Sequence, residues 1–186
     1  MSRLPPIEPS KLLKKISFLD APKFRFEINQ FQLPIGLKGE FGLIRHPGAS
    51  LAVPITSDGE VIILRQYRFA VSRRLLEFPA GTLEQGEAPL TTMKRELAEE
   101  SGYSSANWLS IGEMLPCPGY SDEVIHLFLA RDLEKLSERP KGDEDEDLEV
   151  LKMAPQDLDS LINSGNEALD GKTVTAWFRA KEILHL

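Results

Sequence analysis

Between Gly81 and Tyr103 the chain reads GTLEQGEAPLTTMKRELAEESGY, and few folds can accommodate such a stretch. Leu90, Met93 and Leu97 recur at spacings of three and four, which predicts a helix from about Leu90 with one apolar stripe turned to a core. Glu96, Glu99 and Glu100 fall at i, i+3 and i+4, so three carboxylates lie side by side on a neighbouring face of the last turns. Read from spacing alone, nothing cationic is built between them. Like charges this close repel, and the C-terminal end of the helix dipole disfavours anions, so the arrangement is poor for stability by itself. A divalent cation removes the penalty. Oxygen ligands at this density suit Mg²⁺ or Mn²⁺, and the lack of Cys and His in the stretch argues against zinc. The duller alternative is a solvated acidic helix face, which is common on surfaces.

The order of Gly81, Glu87, Arg95, Glu96, Leu97, Ala98, Glu99, Glu100, Ser101, Gly102 and a closing apolar residue resembles the signature box of the Nudix hydrolases. Tyr103 stands where the box usually has an aliphatic residue. The length of the motif, in a strand-then-helix context, outweighs the solvated-face alternative. Beyond the box, HPG at His46–Gly48, RQYR at Arg65–Arg68, EFPAG at Glu77–Gly81, PGYSDE at Pro118–Glu123 and DEDED at Asp143–Asp147 are similar to the ADP-ribose pyrophosphatase branch of that family. These stretches cover roughly Arg45 to Gly171, most of the chain.

A chain of 186 residues with 41% hydrophobic content has room for one sizeable domain, or one domain with a small appendage. Its net charge of −7 argues against a general nucleic-acid binder, because gripping phosphates needs a basic surface. The single cysteine, Cys117, rules out an internal disulfide, and no apolar run approaches the ~20 residues of a membrane span. The N-terminal segment lacks the apolar core and cleavage site of a signal peptide, so a cytoplasmic location is expected.

In chain order, residues 1–20, with Pro5, Pro6, Pro9 and a basic patch at Lys11, Lys14 and Lys15, read as a loosely ordered arm or a short helix. Lys23–Leu33 and Glu40–His46 read as strands with Phe24, Phe26, Ile28 and Phe31 apolar. Two or three such strands cannot stand alone in water, so they must cover something, either the chain's own catalytic domain or the same domain of a second copy. From Ala49 the predicted strands are SLAVPIT, EVIILRQYRF and RRLLEFPAG, the last leading into the carboxylate helix. After it come strands at Trp108–Leu115, Val124–Leu129 and Leu148–Met153, then helices at about Pro155–Asn163 and Thr173–Leu186. The expected class is α/β (α+β), a Nudix-like sandwich with a mixed β-sheet between helices and a small N-terminal antiparallel β-sheet. The expected division is an N-terminal arm and sheet at 1–45, used for dimerisation, and a catalytic domain at 46–186.

The resemblance implies Glu96, Glu99, Glu100 and the backbone carbonyl of Ala80 as metal ligands, with Glu99 also placed among the catalytic residues. Arg95 is assigned a structural role, pinning the glycine loop through Glu87. A guanidinium can hold a phosphate bidentately, so Arg65 and Arg68 are candidate substrate clamps, with Arg68 preferred because it matches the family's substrate-contacting position. Glu77 is placed in the substrate site, its role left open between metal support and substrate contact. Pro118 is the proline by which this branch is recognised. In this branch the general base sits on the acidic loop, which makes Glu144, with Glu146 as rival, the expected proton acceptor. His46, His126 and His185 are too scattered to form a cluster.

The function implied is Mg²⁺-dependent hydrolysis of the pyrophosphate bond of a nucleoside diphosphate sugar, ADP-ribose giving AMP and ribose 5-phosphate, by a homodimer. The alternatives are another nucleotide-sugar hydrolase, such as one for GDP-mannose, a house-cleaning triphosphatase, and a non-catalytic module that senses ADP-ribose. The triphosphatase is disfavoured by the N-terminal strands and the Pro118 loop, the module by the complete set of box glutamates, and RNA decapping by the acidity of the chain.

Overall fold

The computed structural model describes residues 8–142 and 147–185. Its central element is β4 (Ala49–Thr56), every residue of which is buried. Alternate side chains of β4 serve two cores: Leu51, Val53 and Ile55 enter one cluster and Ala52 the other. A strand covered on both faces reads as a continuous apolar run, which is how SLAVPIT reads. Its neighbour β5 (Val61–Arg68) divides in the same way, Val61 and Ile63 to one side and Ile62 to the other.

Around this pair the described residues form an eight-stranded sheet whose main path runs β11 (Leu148–Met153), β5, β4, β10 (Ile125–Lys135) and β8 (Tyr103–Ser104). Attached to it, β6 (Arg73–Glu77) pairs with β5, β7 (Ala80–Thr82) with β4, and β9 (Asn107–Met114) with β10. The β4–β10 ladder is parallel and the others are antiparallel, so the sheet is mixed as expected. Helix α1 (Pro89–Ser101) covers one face, where Met93 and Leu97 pack with Ile62, Phe128 and Leu133. Helices α2 (Pro155–Ser164) and α3 (Gly171–Leu184) cover the other, where Leu158 and Trp177 join Leu51, Ile63 and Phe78. Burying side chains of this size contributes about 1.5–3 kcal/mol each, which makes these two layers the main stabilising term of the domain.

Both ends of α1 are set locally. Pro89 sits in the first turn, where its missing N–H costs nothing, and Gly102 ends the helix at φ 75°, donating its N–H to the Ala98 carbonyl. A side chain there would be strained, so the last glycine of the motif is a helix stop. Tyr103 packs on the same cluster as Met93 and Leu97.

A separate three-stranded antiparallel sheet holds β1 (Lys11–Asp20), β2 (Arg25–Gln32) and β3 (Lys38–Arg45), in that order. Over Lys11–Asp20 the strand β1 corrects the reading of an arm or short helix. Register shifts at Leu12/Lys14 and Lys15/Ser17 break the alternation of apolar residues along β1, and a period of two is the signal by which a strand is recognised. This sheet joins the main body through β3: Ile44 donates to the Tyr120 carbonyl at 2.7 Å and accepts from Asp122 N at 3.2 Å. Arg45 Nη1 donates to Asp122 at 3.0 Å, so the junction is tied by side chains as well.

Candidate active site

A cleft of about 490 Å³ opens where β4 and β10 begin and β5 ends, walled by the Ala80–Glu84 turn, α1, the loop before β10 and the first turn of α3. Glu96, Glu100 and Arg68 all line it. Glu100 is 3% exposed, and its Oε2 accepts the backbone N–H of Ala80 at 2.8 Å. Glu96 lies so close over Gly81 that a Cβ there would fall on its carboxyl group. Only glycine permits this approach, and it seats the glutamate against the turn.

Arg95 does more than the sequence suggested. It does bind Glu87, through Nη2 at 3.3 Å, and Glu87 also accepts from Thr92 Oγ1 at 2.8 Å, so the glycine loop is pinned as expected. Its Nη1, however, donates to Glu96 at 2.7 Å and to Glu99 at 3.1 Å. The statement that nothing cationic stands between the glutamates is therefore corrected: Arg95 and Glu99 form an i, i+4 pair, and the guanidinium turns sideways to reach Glu96. Burial pulls the Arg95 guanidinium down, but the hydrogen bond to Glu87 and the charges of its other partners hold it above its ordinary value.

Among the described residues no three His, Cys, Asp or Glu side chains converge on one point as they stand. The donors nonetheless fit a hard cation in kind: Glu96, Glu100 and the backbone at Ala80 share one wall, every donor is oxygen, and the space over Gly81 is kept clear for a carboxylate. Glu99 stands outside the lining and is linked to Glu96 by Arg95.

Arg68 and Arg65 part company because side chains alternate along a strand and the two stand an odd number of positions apart, with Gln66 and Tyr67 between them. Gln66 and Arg68 face the cleft. Arg65 does not line it: its guanidinium lies 3.3 Å from Glu149 on β11 and 3.8 Å from Glu167. Arg68 is held by Glu77, with Nε donating to Oε1 and Nη2 to Oε2, both at 2.6 Å. Glu77 is 2% exposed while the Arg68 side chain is 41% exposed, so the carboxylate is a buried base on which the guanidinium stands. Burial favours the protonated form of Glu77, yet Arg68 and Lys172 outweigh it and hold its pKa down at about 2.

Pro118 lies outside the main cleft, on a smaller cavity of about 290 Å³ shared with Phe41 and Arg45. Glu144 and Glu146 lie outside the described residues. Sequence reasoning passed over several cleft residues: Gln66, Lys172, His46, Glu123 and Lys23. Gln66 was within reach, since it shares a face with Arg68. Lys172 was not, because only the packing of α3 brings its first turn to the end of β6. His46 does form a turn, its Nδ1 accepting from Gly48 N at 3.1 Å, and it also stands on the cleft wall.

The NUDIX domain profile matches residues 45–178. The chain belongs to the NUDIX domain family. An ADP-ribose pyrophosphatase of Bacillus subtilis (strain 168) is 37% identical over 159 residues, 84% of this chain and 85% of that one. A protein named methanol dehydrogenase activator, from Bacillus methanolicus, is 31% identical over 166 residues, 89% of each chain. The GDP-mannose pyrophosphatase of Escherichia coli (strain K12) is 34% identical over 137 residues, 70% of this chain and 71% of that one. A crystal structure described as an ADP compounds hydrolase superposes with a TM-score of 0.79 at 22% identity, covering 98% of this chain and 97% of its own, which establishes the shared fold. In this Nudix hydrolase, then, the fold carries Glu96 and Glu100 of the box into the cleft that Arg68 also lines.

Proposed function

We propose that this Nudix hydrolase cleaves the pyrophosphate bond of a nucleoside diphosphate sugar with Mg²⁺, and that ADP-ribose, giving AMP and ribose 5-phosphate, is its substrate. The observation that carries the reading is one cleft lined by Glu96 and Glu100 together with the Arg68 guanidinium, which stands on a buried glutamate. Glu96, Glu99, Glu100 and the Ala80 carbonyl would hold the ion, which when bound neutralises charge on the leaving phosphate and acidifies the attacking water. Arg68 offers donors to a phosphate oxygen, a charge-assisted contact of the kind that orients such a group. The test is a panel of nucleotide sugars assayed with Mg²⁺: turnover of ADP-ribose well above GDP-mannose supports the reading. The likeness to a GDP-mannose pyrophosphatase favours the second reading, and the reverse preference on the panel establishes it.

The general base is assigned to Glu144 or Glu146. Replacing whichever is the base with Gln lowers kcat by ~10²-fold to 10⁴-fold with metal affinity little changed. If both single variants and the double variant stay active, the base lies elsewhere.

The proposed assembly is a homodimer formed through the N-terminal sheet. Phe18 is 66% exposed, Leu19 70%, Ile35 84% and Leu37 61%, an apolar load that a small sheet does not normally leave in water. A second copy is the usual cover, because closed two-fold pairs are the commonest oligomers. Light scattering at micromolar concentration then reads twice the mass of the 20.8 kDa chain, and a monomer mass rules this assembly out.

A further inference from the structure

The first turn of α3 reaches the cleft through Lys172, a residue that neither the box nor the flanking motifs include. Its ammonium contacts Glu77 Oε2 and Asp170. Asp170 is itself fixed, since its other oxygen caps α3 by accepting Thr173 N at 2.8 Å. Thr173 in turn accepts Phe78 N on its hydroxyl at 2.9 Å, and Phe78 follows Glu77 in the chain. Glu77, Phe78, Thr173, Asp170 and Lys172 therefore form a closed ring that grips Glu77 by both its backbone and its carboxylate.

Arg68 alone already satisfies both Glu77 oxygens, so charge balance does not by itself require a second cation. What Lys172 adds is a fixed carboxylate and a share of its charge. Arg68 spends Nε and one Nη2 proton on Glu77; its Nη1 makes no hydrogen bond among the described residues. A guanidinium held by one edge presents the other, and a phosphate needs that second edge. Without Lys172, the Glu77 carboxylate keeps its two hydrogen bonds from Arg68 but loses its tie to Asp170 and α3, so the Arg68–Glu77 pair can shift together under a pull from the ligand.

We propose that Lys172 is a positioning residue for substrate: by anchoring Glu77 it keeps the outer edge of Arg68 turned to the phosphates of the nucleotide sugar. This rests on the reading of Arg68 as a phosphate contact. The experiment uses the full-length chain with ADP-ribose and Mg²⁺, with circular dichroism and Tm recorded for every variant. Lys172→Met raises KM by ~10-fold, as expected for the loss of one charge-assisted hydrogen bond, and changes kcat by less than about 3-fold. Lys172→Gln, which keeps a donor for Glu77, falls between it and the wild type, and Lys172→Arg recovers most of the affinity. Arg68→Gln raises KM further, and Lys172→Met in that background adds nothing, because the two act in series.

An unchanged KM in Lys172→Met, with or without a fall in Tm, overturns the proposal and leaves Lys172 a structural charge. A KM effect that persists in the Arg68→Gln background also overturns it, since Lys172 then touches substrate itself. If Arg68→Gln alone leaves KM unchanged, the reading of Arg68 fails, and the proposal falls with it for a different and recognisable reason.

Discussion

Turnover of a nucleotide sugar at saturating Mg²⁺ falls by ~10³-fold or more when Glu100 is replaced by Gln, while Tm moves little. The geometry separates these two outcomes. Glu100 is buried at 3% exposure and its Oε2 accepts Ala80 N at 2.8 Å, a contact that an amide oxygen can keep. The fold therefore tolerates the change. The lost quantity is one negative charge beside Glu96, which would help hold a divalent cation in the cleft. Metal titration of the variant, read by activity and by binding calorimetry, gives weakened ion binding along with the lower rate. Near-wild-type turnover in this variant removes the metal-site assignment altogether.

Glu77→Gln has the largest expected effect on stability. Glu77 is 2% exposed and holds two cations, Arg68 and Lys172, so replacing it takes from Arg68 the carboxylate it is hydrogen-bonded to and leaves Lys172 with Asp170 alone. Breaking a fully buried pair from one side costs about 3–5 kcal/mol, and the 41% exposure of the Arg68 side chain, which water can reach, brings the expected cost below that range. The same group predicts the pH dependence. Its pKa is lowered from 4.5 to about 2 in the folded chain, so the unfolded chain binds the proton more readily. The stabilisation is whole above about pH 4.5 and fades as pH falls toward about 2. Urea melts of wild type and Glu77→Gln across that range converge as the medium is acidified; a gap that stays constant with pH shows that the carboxylate charge is not the stabilising element.

Much of the site was legible because it is local. The order of Gly81, Arg95, Glu96, Glu99, Glu100 and Gly102 specifies a turn, a helix and its stop within 22 residues, and each is a consequence of backbone chemistry: no Cβ under Glu96, carboxylates at helical spacing, a left-handed cap. The apolar run of β4 and the Met93/Leu97 stripe of α1 announced the covered sheet for the same reason, since burial on a given face repeats with the period of the element. The strand β1 escaped because its bulges shift that period. Tertiary structure alone decided which charges meet. The parity of β5 turns Arg68 into the cleft and Arg65 away from it, the packing of α3 on Phe78 brings Lys172 and Asp170 to Glu77, and the side chain of Arg95 closes on Glu96 and Glu99. Electrostatic partners of this kind are separated by up to 95 residues along the chain, as Lys172 and Glu77 are, and a sequence carries periodicity within an element but no direct mark of which elements touch.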